Sequence, residues 1–433
     1  MLGGMNESAL GQPDPPDRPG LLGALRAATI GARAARALVH ELARRPGPKT
    51  ALLVGVGPDS PVLTAAIDAL LPEDSLAVVA TDPPAMRTHI AAQGSWVRDR
   101  VQVLAATTAA DPADVVVIAE PLTGEADAAR ETLTELAKLV TAGGVLTAAT
   151  VALPGLAVGA AAELDRHAAL YGVGSDLVLW NAPPVRIHRL RWAAADPGAA
   201  ERLTATDRPS SVPLTRELHI DSNGVAAAGI TLGLAALAKL ARPRSRLWLL
   251  PAAATLPIAA FFRDPQRDLP DDDGSLVIAA SDGKVLSVEH VSDDRFSPDG
   301  ATVDYLRIAV FLSVLDVHVN RAPVAGQVVD YQLEDGGYAP AMNAEAEHNV
   351  AAYTVLDTGP RGRVVVAQRT GLLARRIVQR APVGAQLARG ERFGLIRFGS
   401  RTDVYLPAEG VEPLVAPDDR VLGGTTPIAR FRR

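Results

Sequence analysis

Gly390-Glu391-Arg392-Phe393-Gly394-Leu395-Ile396-Arg397-Phe398-Gly399-Ser400-Arg401-Thr402-Asp403-Val404-Tyr405-Leu406-Pro407 reads as two alternating runs, Phe393 to Phe398 and Val404 to Leu406, meeting at Gly399-Ser400. Alternation at period two marks strands with one buried face. An ordinary hairpin would place Asn-Gly or Asp-Gly at the junction. Gly-Ser alone is a common turn, because glycine accepts positive φ and serine bonds to nearby backbone. Outward from this stretch the same rhythm continues, with Gly, Asp and Pro turns between Leu276 to Ala280, Gly283 to His290, Leu306 to Leu312, Gln327 to Gln332, Ala351 to Asp357 and Arg363 to Arg369. The pattern predicts an all-β domain over 268–433, a sandwich or partly closed barrel.

Upstream the period changes. Leu21 to Arg44 has helical spacing, Lys49 to Val56 is a buried strand ending in a glycine turn, and Leu76 to Ala80, Val101 to Leu104, Asp114 to Ala119 and a strand beginning near Ala142 alternate with helices. Strand-helix alternation predicts a Rossmann-like, doubly wound parallel α/β sheet over 21–203. This block resembles class I methyltransferases. That resemblance implies S-adenosylmethionine held by Gly55, Gly57 and Asp82, the aspartate on the ribose hydroxyls. Val54 stands where that family carries an acid and Asp59 where it carries a third glycine, and no methyl-acceptor motif is evident. Active methyl transfer and a degenerate, scaffolding domain are both open, and Asp82 also reads as an ordinary cap.

The chain has 433 residues, net charge -6 and no cysteine. Disulfides and thiolate metal sites are excluded, and the charge argues against nucleic-acid partners. Its eight histidines show no close metal spacing, so no metal is expected. Residues 1–20 are proline-rich without an apolar core and read as a disordered lead rather than a signal peptide. Residues 204–214 read as a linker. Within 215–267, Gly224 to Leu240 and Leu247 to Phe262 are apolar runs separated by Arg242, Arg244 and Arg246. Each run falls short of the ~20 residues that span a bilayer. The reading is a hairpin lying in one leaflet with its arginines on anionic headgroups, which places the protein at the cytoplasmic side of the cell membrane, peripheral or monotopic. A buried helical pair and a two-pass span compete with it.

Four further segments accompany Gly399-Ser400: Phe261-Phe262-Arg263-Asp264-Pro265-Gln266-Arg267, Ser281-Asp282-Gly283-Lys284-Val285, Leu315-Asp316-Val317-His318-Val319-Asn320-Arg321-Ala322-Pro323, and Gly371-Leu372-Leu373-Ala374-Arg375-Arg376-Ile377. In this order the set resembles the short form of the phosphatidylserine decarboxylase family, over about residues 215–433. The resemblance implies self-cleavage between Gly399 and Ser400 into chains 1–399 and 400–433, which stay associated, with Ser400 converted to a pyruvoyl group. The pyruvoyl would form a Schiff base with phosphatidylserine and accept electrons as CO2 leaves to give phosphatidylethanolamine. A homodimer is a further expected association. Leu422-Gly423-Gly424-Thr425 looks like the cleavage motif of the family's long form, but has glycine in place of the serine, and is read as a closing turn.

On that resemblance Ser400 is the nucleophile, His318 the general base and Asp282 the residue that orients or charge-stabilises it. Each has a structural alternative: a turn for Asp282, a core position for His318. Arg321 replaces a second histidine of the long form and could clamp a carboxylate or phosphate. Asn343 and Glu347 fall where the family carries an Asn-Glu-Arg-Asn type segment, with His348 in the arginine's place. Arg375 and Arg376 could hold the phosphodiester. Two rival functions stay open: methyl transfer to a phospholipid headgroup, and a catalytically dead membrane lipid-binding protein.

Overall fold

The computed structural model describes residues 29–152, 158–271, 274–372, 376–397 and 400–432. The expected lead 1–20, together with Phe398, Gly399 and Arg375, lies outside the described residues.

Alternating runs of Val, Leu and Ala build the first sheet from β1 (Thr50–Val56), β2 (Ser75–Ala80), β3 (Val101–Leu104), β4 (Ala113–Ile118), β5 (Val140–Val151), β6 (Gly172–Val178) and β7 (Val185–Leu190). Its order is β3-β2-β1-β4-β5-β7-β6, parallel except that β7 runs antiparallel to both β5 and β6. Both faces are apolar because both are covered. Leu53, Val115 and Val117 face α1 (Ala32–Leu38), α3 (Pro61–Asp68) and α4 (Pro83–Ala92), while Leu52, Val116 and Ile118 face α5 (Ala126–Ala137) and α6 (Ala160–Tyr171). The helix expected through Arg44 breaks at Val39 and resumes as α2 (His40–Arg44).

The expected linker is packed rather than free. Thr206 Oγ1 bonds the His40 ring at 2.7 Å, and Val212–Pro213 forms β8 beside β9 (Leu218–Ile220) and β10 (Arg263–Pro265). Between β9 and β10 the apolar hairpin projects as α7 (Ser222–Ala241) and α8 (Leu249–Phe261), tied midway by Thr231 Oγ1 to Thr255 Oγ1 at 3.0 Å. Asp221 caps α7 by accepting from Asn223 N–H. The cap and flanking residues carry α7 to 20 residues, so it is long and apolar enough to cross a membrane, which corrects the shorter run expected. The pair is not buried either: Leu237, Leu240, Leu250 and Leu256 are 63%, 78%, 71% and 78% exposed.

The carboxyl half is β-rich as expected. An eight-stranded antiparallel sheet runs β19 (Gln386–Leu387), β15 (Gly326–Glu334), β16 (Ala351–Asp357), β17 (Arg363–Arg369), β21 (Ser400–Pro407), β13 (Val303–Leu312), β12 (Gly283–Asp293), β23 (Arg420–Val421). Two small sheets accompany it, β11 (Leu276–Ile278) with β24 (Pro427–Phe431) and β22 (Val411–Pro413), and β14 (Val319–Arg321) with β20 (Arg392–Ile396) and β18 (Ile377–Gln379). Alternation divides the large sheet's faces. Val404, Leu406, Val364 and Val366 pack with Val277, Phe393 and Ile428 of the small sheets, while Tyr405, Val365, Tyr353 and Phe296 form a separate aromatic cluster on the other face.

The two halves meet through buried charge. Arg44 of α2 pairs with Glu391, just before β20, and donates to Gln386 O at 3.0 Å. Arg191 donates to Gly384 O at 2.6 Å, and Arg208, which also holds Asp176 Oδ1 of β6 at 3.0 Å, donates to Arg392 O at 3.5 Å.

Candidate active site

Ser400 opens β21, paired with Leu312 at the end of β13, and its side chain takes the same face as Thr402, Val404 and Leu406. It is fully buried, and its Oγ has no hydrogen-bond partner among the described residues. A buried hydroxyl without a partner is costly and calls for an explanation. Two residues on, Thr402 Oγ1 meets Ser281 Oγ at 2.6 Å, which fixes the Ser281-Asp282-Gly283 turn against the start of β21. Gly283 is required there. Its φ is +151°, and a Cβ would stand 2.1 Å from Phe311 O.

Asp282 is buried and held from two distant segments. Arg267 grips both carboxylate oxygens, with Nη2 to Oδ2 at 2.7 Å, and Gly423 N–H donates to Oδ1 at 2.8 Å. Arg267 also donates to Gly423 O at 2.6 Å. The Leu422 to Thr425 segment is a turn, closed by Thr425 N–H on Leu422 O at 3.1 Å, and that turn delivers the amide to Asp282.

His318 precedes β14. Its carbonyl accepts from Ile396 N–H at 3.3 Å, and Val319 pairs with Leu395, so β14 ties the imidazole's backbone to the strand leading into residues 397–400. Its Nδ1 lies 2.9 Å from Asp316 O. A carbonyl only accepts, so Nδ1 carries the proton in this contact and Nε2 keeps a basic lone pair. Burial, helped by the Arg263 charge, lowers the imidazole to about 4, against the opposing pull of the Asp316 carbonyl and the Asp316 and Asp282 carboxylates. Phe261, the last residue of α8, stacks on it with ring centroids 4.2 Å apart. The apolar hairpin therefore ends on the imidazole.

Other expected site residues are placed differently. Arg321 is buried and engaged, donating to Asp264 Oδ1 at 3.1 Å and Pro265 O at 2.7 Å, which withdraws its guanidinium from a clamping role. Glu347 pairs with Arg307 at 2.6 Å and Arg401 at 3.3 Å. Arg401 points away from Ser400 by the alternation of β21, so Glu347 lies on the opposite face of the sheet. Asn343 is exposed at the start of a short 3-10 turn. Arg376 is exposed, and its carbonyl accepts from Arg397 N–H at 3.1 Å. Sequence reasoning gave no role to Arg267, Gly423 or Phe261. The first and last lie in a segment it singled out, whereas Gly423 acts through backbone and leaves no side-chain signal.

In the α/β half, Gly55 has φ +75° with nothing within 4 Å of a Cβ, and a Cβ on Gly57 would have Thr81 Oγ1 at 3.8 Å. Asp82 caps α4, accepting from Ala85 N–H at 3.0 Å. No group of three or more His, Cys, Asp or Glu side chains fit to hold a metal occurs among the described residues.

Comparison with solved structures returns methyltransferases for part of the chain. An O-methyltransferase of tomaymycin synthesis from Streptomyces achromogenes is 14% identical with TM-score 0.27, over 37% of this chain and 79% of that one. A precorrin-6y C5,15-methyltransferase from Geobacter metallireducens is 19% identical with TM-score 0.28, over 37% and 87%. Scores this low carry no functional argument.

The carboxyl half gives a different result. The family model for phosphatidylserine decarboxylase matches residues 255–429. Curated phosphatidylserine decarboxylase proenzymes are 48% identical over 181 residues in Symbiobacterium thermophilum, covering 42% of this chain and 81% of that protein, and 40% identical over 204 residues in Streptomyces griseus, covering 46% and 88%. The proenzyme of Gluconacetobacter diazotrophicus is 46% identical over 203 residues, covering 46% and 89%. With Ser400 buried at the head of its strand, Asp282 held from two distant segments and a neutral His318 imidazole tied to the strand before Ser400, the chain belongs to the phosphatidylserine decarboxylase family.

Proposed function

We propose that the chain is a decarboxylase proenzyme that cleaves itself between Gly399 and Ser400 and then, as chains 1–399 and 400–433, converts phosphatidylserine to phosphatidylethanolamine. The observation that carries this reading is the buried Ser400 Oγ at the head of β21, which has no hydrogen-bond partner among the described residues. A hydroxyl meant for attack on its own preceding carbonyl has to be kept from competing hydrogen bonds.

His318 Nε2 takes the Ser400 proton, and Oγ attacks the Gly399 carbonyl carbon, shifting the acyl group from nitrogen to oxygen. Loss of the Ser400 Cα proton then expels the Gly399 carboxylate and leaves dehydroalanine, whose imine tautomer takes up water and releases ammonia. Asp282, locked by Arg267 and Gly423, supplies a fixed negative charge that favours the imidazolium formed in the first step. The resulting pyruvoyl ketone supplies the electron sink for decarboxylation. His318, neutral at pH 7, is placed to manage protons at the carbon that loses CO2, and its apolar surroundings favour loss of a carboxylate charge.

The substrate reaches this site along the membrane. α7 and α8 expose apolar side chains around their circumference, and Arg242, Arg244 and Arg246 are exposed at the far turn. A helix lying at an interface keeps a polar face; this pair lacks one, which favours insertion into hydrocarbon from the cytoplasmic side over lying flat. The α/β domain is read as a scaffold braced on Glu391 and Gln386. S-adenosylmethionine at Gly55, Gly57 and Asp82 is the alternative use of that domain, and calorimetric titration decides between them.

Intact-mass spectrometry of the wild type beside Ser400→Ala tests the main reading. The wild type is expected as fragments 1–399 and 400–433, the smaller with a ketone in place of its amino terminus, and Ser400→Ala as one uncut chain. An active wild type with Ser400 intact would overturn it.

A further inference from the structure

Most arginines in the carboxyl half are spoken for. Arg267, Arg321, Arg369, Arg380, Arg392 and Arg401 each hold a carboxylate. Three at the base of the apolar hairpin have other partners. Arg397 donates to Asn223 Oδ1 at 2.8 Å, its guanidinium carbon lies 6.0 Å from the Phe262 ring centroid, and its Nε is buried with no hydrogen-bond partner among the described residues. Arg263 donates to the carbonyls of Ala260 and Leu315. Arg376 is exposed beside Arg397, joined by backbone. Burial and then the Arg376 charge hold the Arg397 guanidinium below its usual range, a sign of positive charge short of its complement. The nearby Asp221 is taken by Arg380 through Nη2 to Oδ1 at 2.6 Å.

The position matters as much as the charge. Phe261 covers His318, Phe262 lies against Arg397, and Arg263 reaches the Leu315 loop, so three consecutive residues form the sill between hairpin and site. On the outer side are the exposed leucines of α7 and α8; on the inner side Ser400 follows Arg397 by three positions. A glycerophospholipid with acyl chains along the hairpin and its amine at Ser400 must lay its phosphodiester across this sill.

We infer that Arg397, with Arg376 and Arg263 beside it, is the cationic subsite for the phosphodiester of the substrate lipid. The inference rests on the decarboxylase reading, and it adds Arg397 and Arg263 to Arg376, one of the two arginines, Arg375 and Arg376, that the sequence suggested. Guanidinium suits this task because it offers several donors to phosphate oxygens at once. A serine derivative lacking the phosphate leaves those donors unpaired and gains nothing from them.

The test uses the processed enzyme, with processing verified by mass, in mixed micelles. Arg397→Gln is expected to raise KM for phosphatidylserine about tenfold or more, the loss of one charge-assisted hydrogen bond, with kcat within about twofold and Arg397→Lys in between. Decarboxylation of O-hexadecylserine, which has the chain and amine but no phosphate, should not change. Dihexanoyl phosphatidic acid should inhibit the wild type competitively and Arg397→Gln far less. If Arg397→Gln fails to cleave, Arg376→Gln, at an exposed position, carries the same comparison with a smaller shift. Unmoved KM in both variants, equal losses on both substrates, or inhibition by inorganic phosphate as strong as by the lipid would overturn the subsite. A wild type that releases no CO2 from either substrate would sink the decarboxylase reading instead.

Discussion

Asp82 and Asp282 both stand in turns after a strand, both look functional in the sequence, and the structure uses them in opposite ways. Asp82 spends its carboxylate on the helix that begins beside it, three residues on. Asp282 is held by Arg267, 15 residues upstream, and by Gly423, 141 residues downstream. The glycines grouped with them in the sequence differ in the same sense: a Cβ on Gly55 would touch nothing, whereas one on Gly283 would collide with Phe311 O. A turn that serves its own helix is satisfied locally and is free to drift in sequence. A turn that serves a site is over-determined by distant chain.

The contrast is open to measurement. Asp282→Asn should cut the rate of self-cleavage by about 10²-fold or more, since it removes the charge behind the base. It should also cost roughly 3–5 kcal/mol by leaving Arg267 buried without its partner; time courses by mass spectrometry and urea unfolding read the two effects separately. Normal cleavage in that variant would reduce Asp282 to the structural class of Asp82. A second, graded effect follows from His318. Cleavage should be flat from pH 8 to 6 and slow as pH falls toward about 4, where Nε2 gains a proton. Stability should follow the same sign. The folded-state value lies below the 6.5 of a free imidazole, so the unfolded chain takes the proton first. The contribution is complete above pH 6.5 and is lost as pH falls through 6.5 toward 4; a His318→Gln variant with an undiminished acid-side loss would remove this account. The smallest effect belongs to Asp82→Ala: about 1 kcal/mol for a lost helix cap, seen as a lower urea midpoint, with self-cleavage unchanged.

Much of the architecture is legible in the sequence. Ala351 to Asp357 and Arg363 to Arg369 are strands to the residue, because short runs rich in β-branched and other apolar residues are bounded there by turn residues. What escaped has identifiable causes. α7 gained length from Asp221, whose cap brings Ser222 and Asn223 into the helix although neither is apolar. Glu347 was grouped with the site by position along the chain, yet the period-two alternation of β21 already assigns Arg401, its partner, to the face away from Ser400. The Leu422 to Thr425 segment reads as a closing turn because Gly424 stands in the serine's place, whereas what it contributes is the Gly423 N–H, a donor that every residue but proline possesses. Arg321 sits where the long form carries a second histidine, and the buried Asp264 and the Pro265 carbonyl beside it show that its charge is spent.

β21 runs between β13 and β17 inside the eight-stranded sheet, paired with β13 from its first residue and with β17 from its second, and β22, β23 and β24 follow it within the same carboxyl-terminal segment. Scission before Ser400 converts an interior strand into the leading end of a separate 34-residue polypeptide by count from the sequence. From that moment folding is bimolecular: the fragment can leave only by dismantling the middle of the sheet, and once lost it must find its partner again at the mercy of concentration. The proposed maturation thus writes a history into the molecule, in which the uncut precursor folds as one chain and the lifetime of the cut enzyme is set by the rate at which its sheet opens.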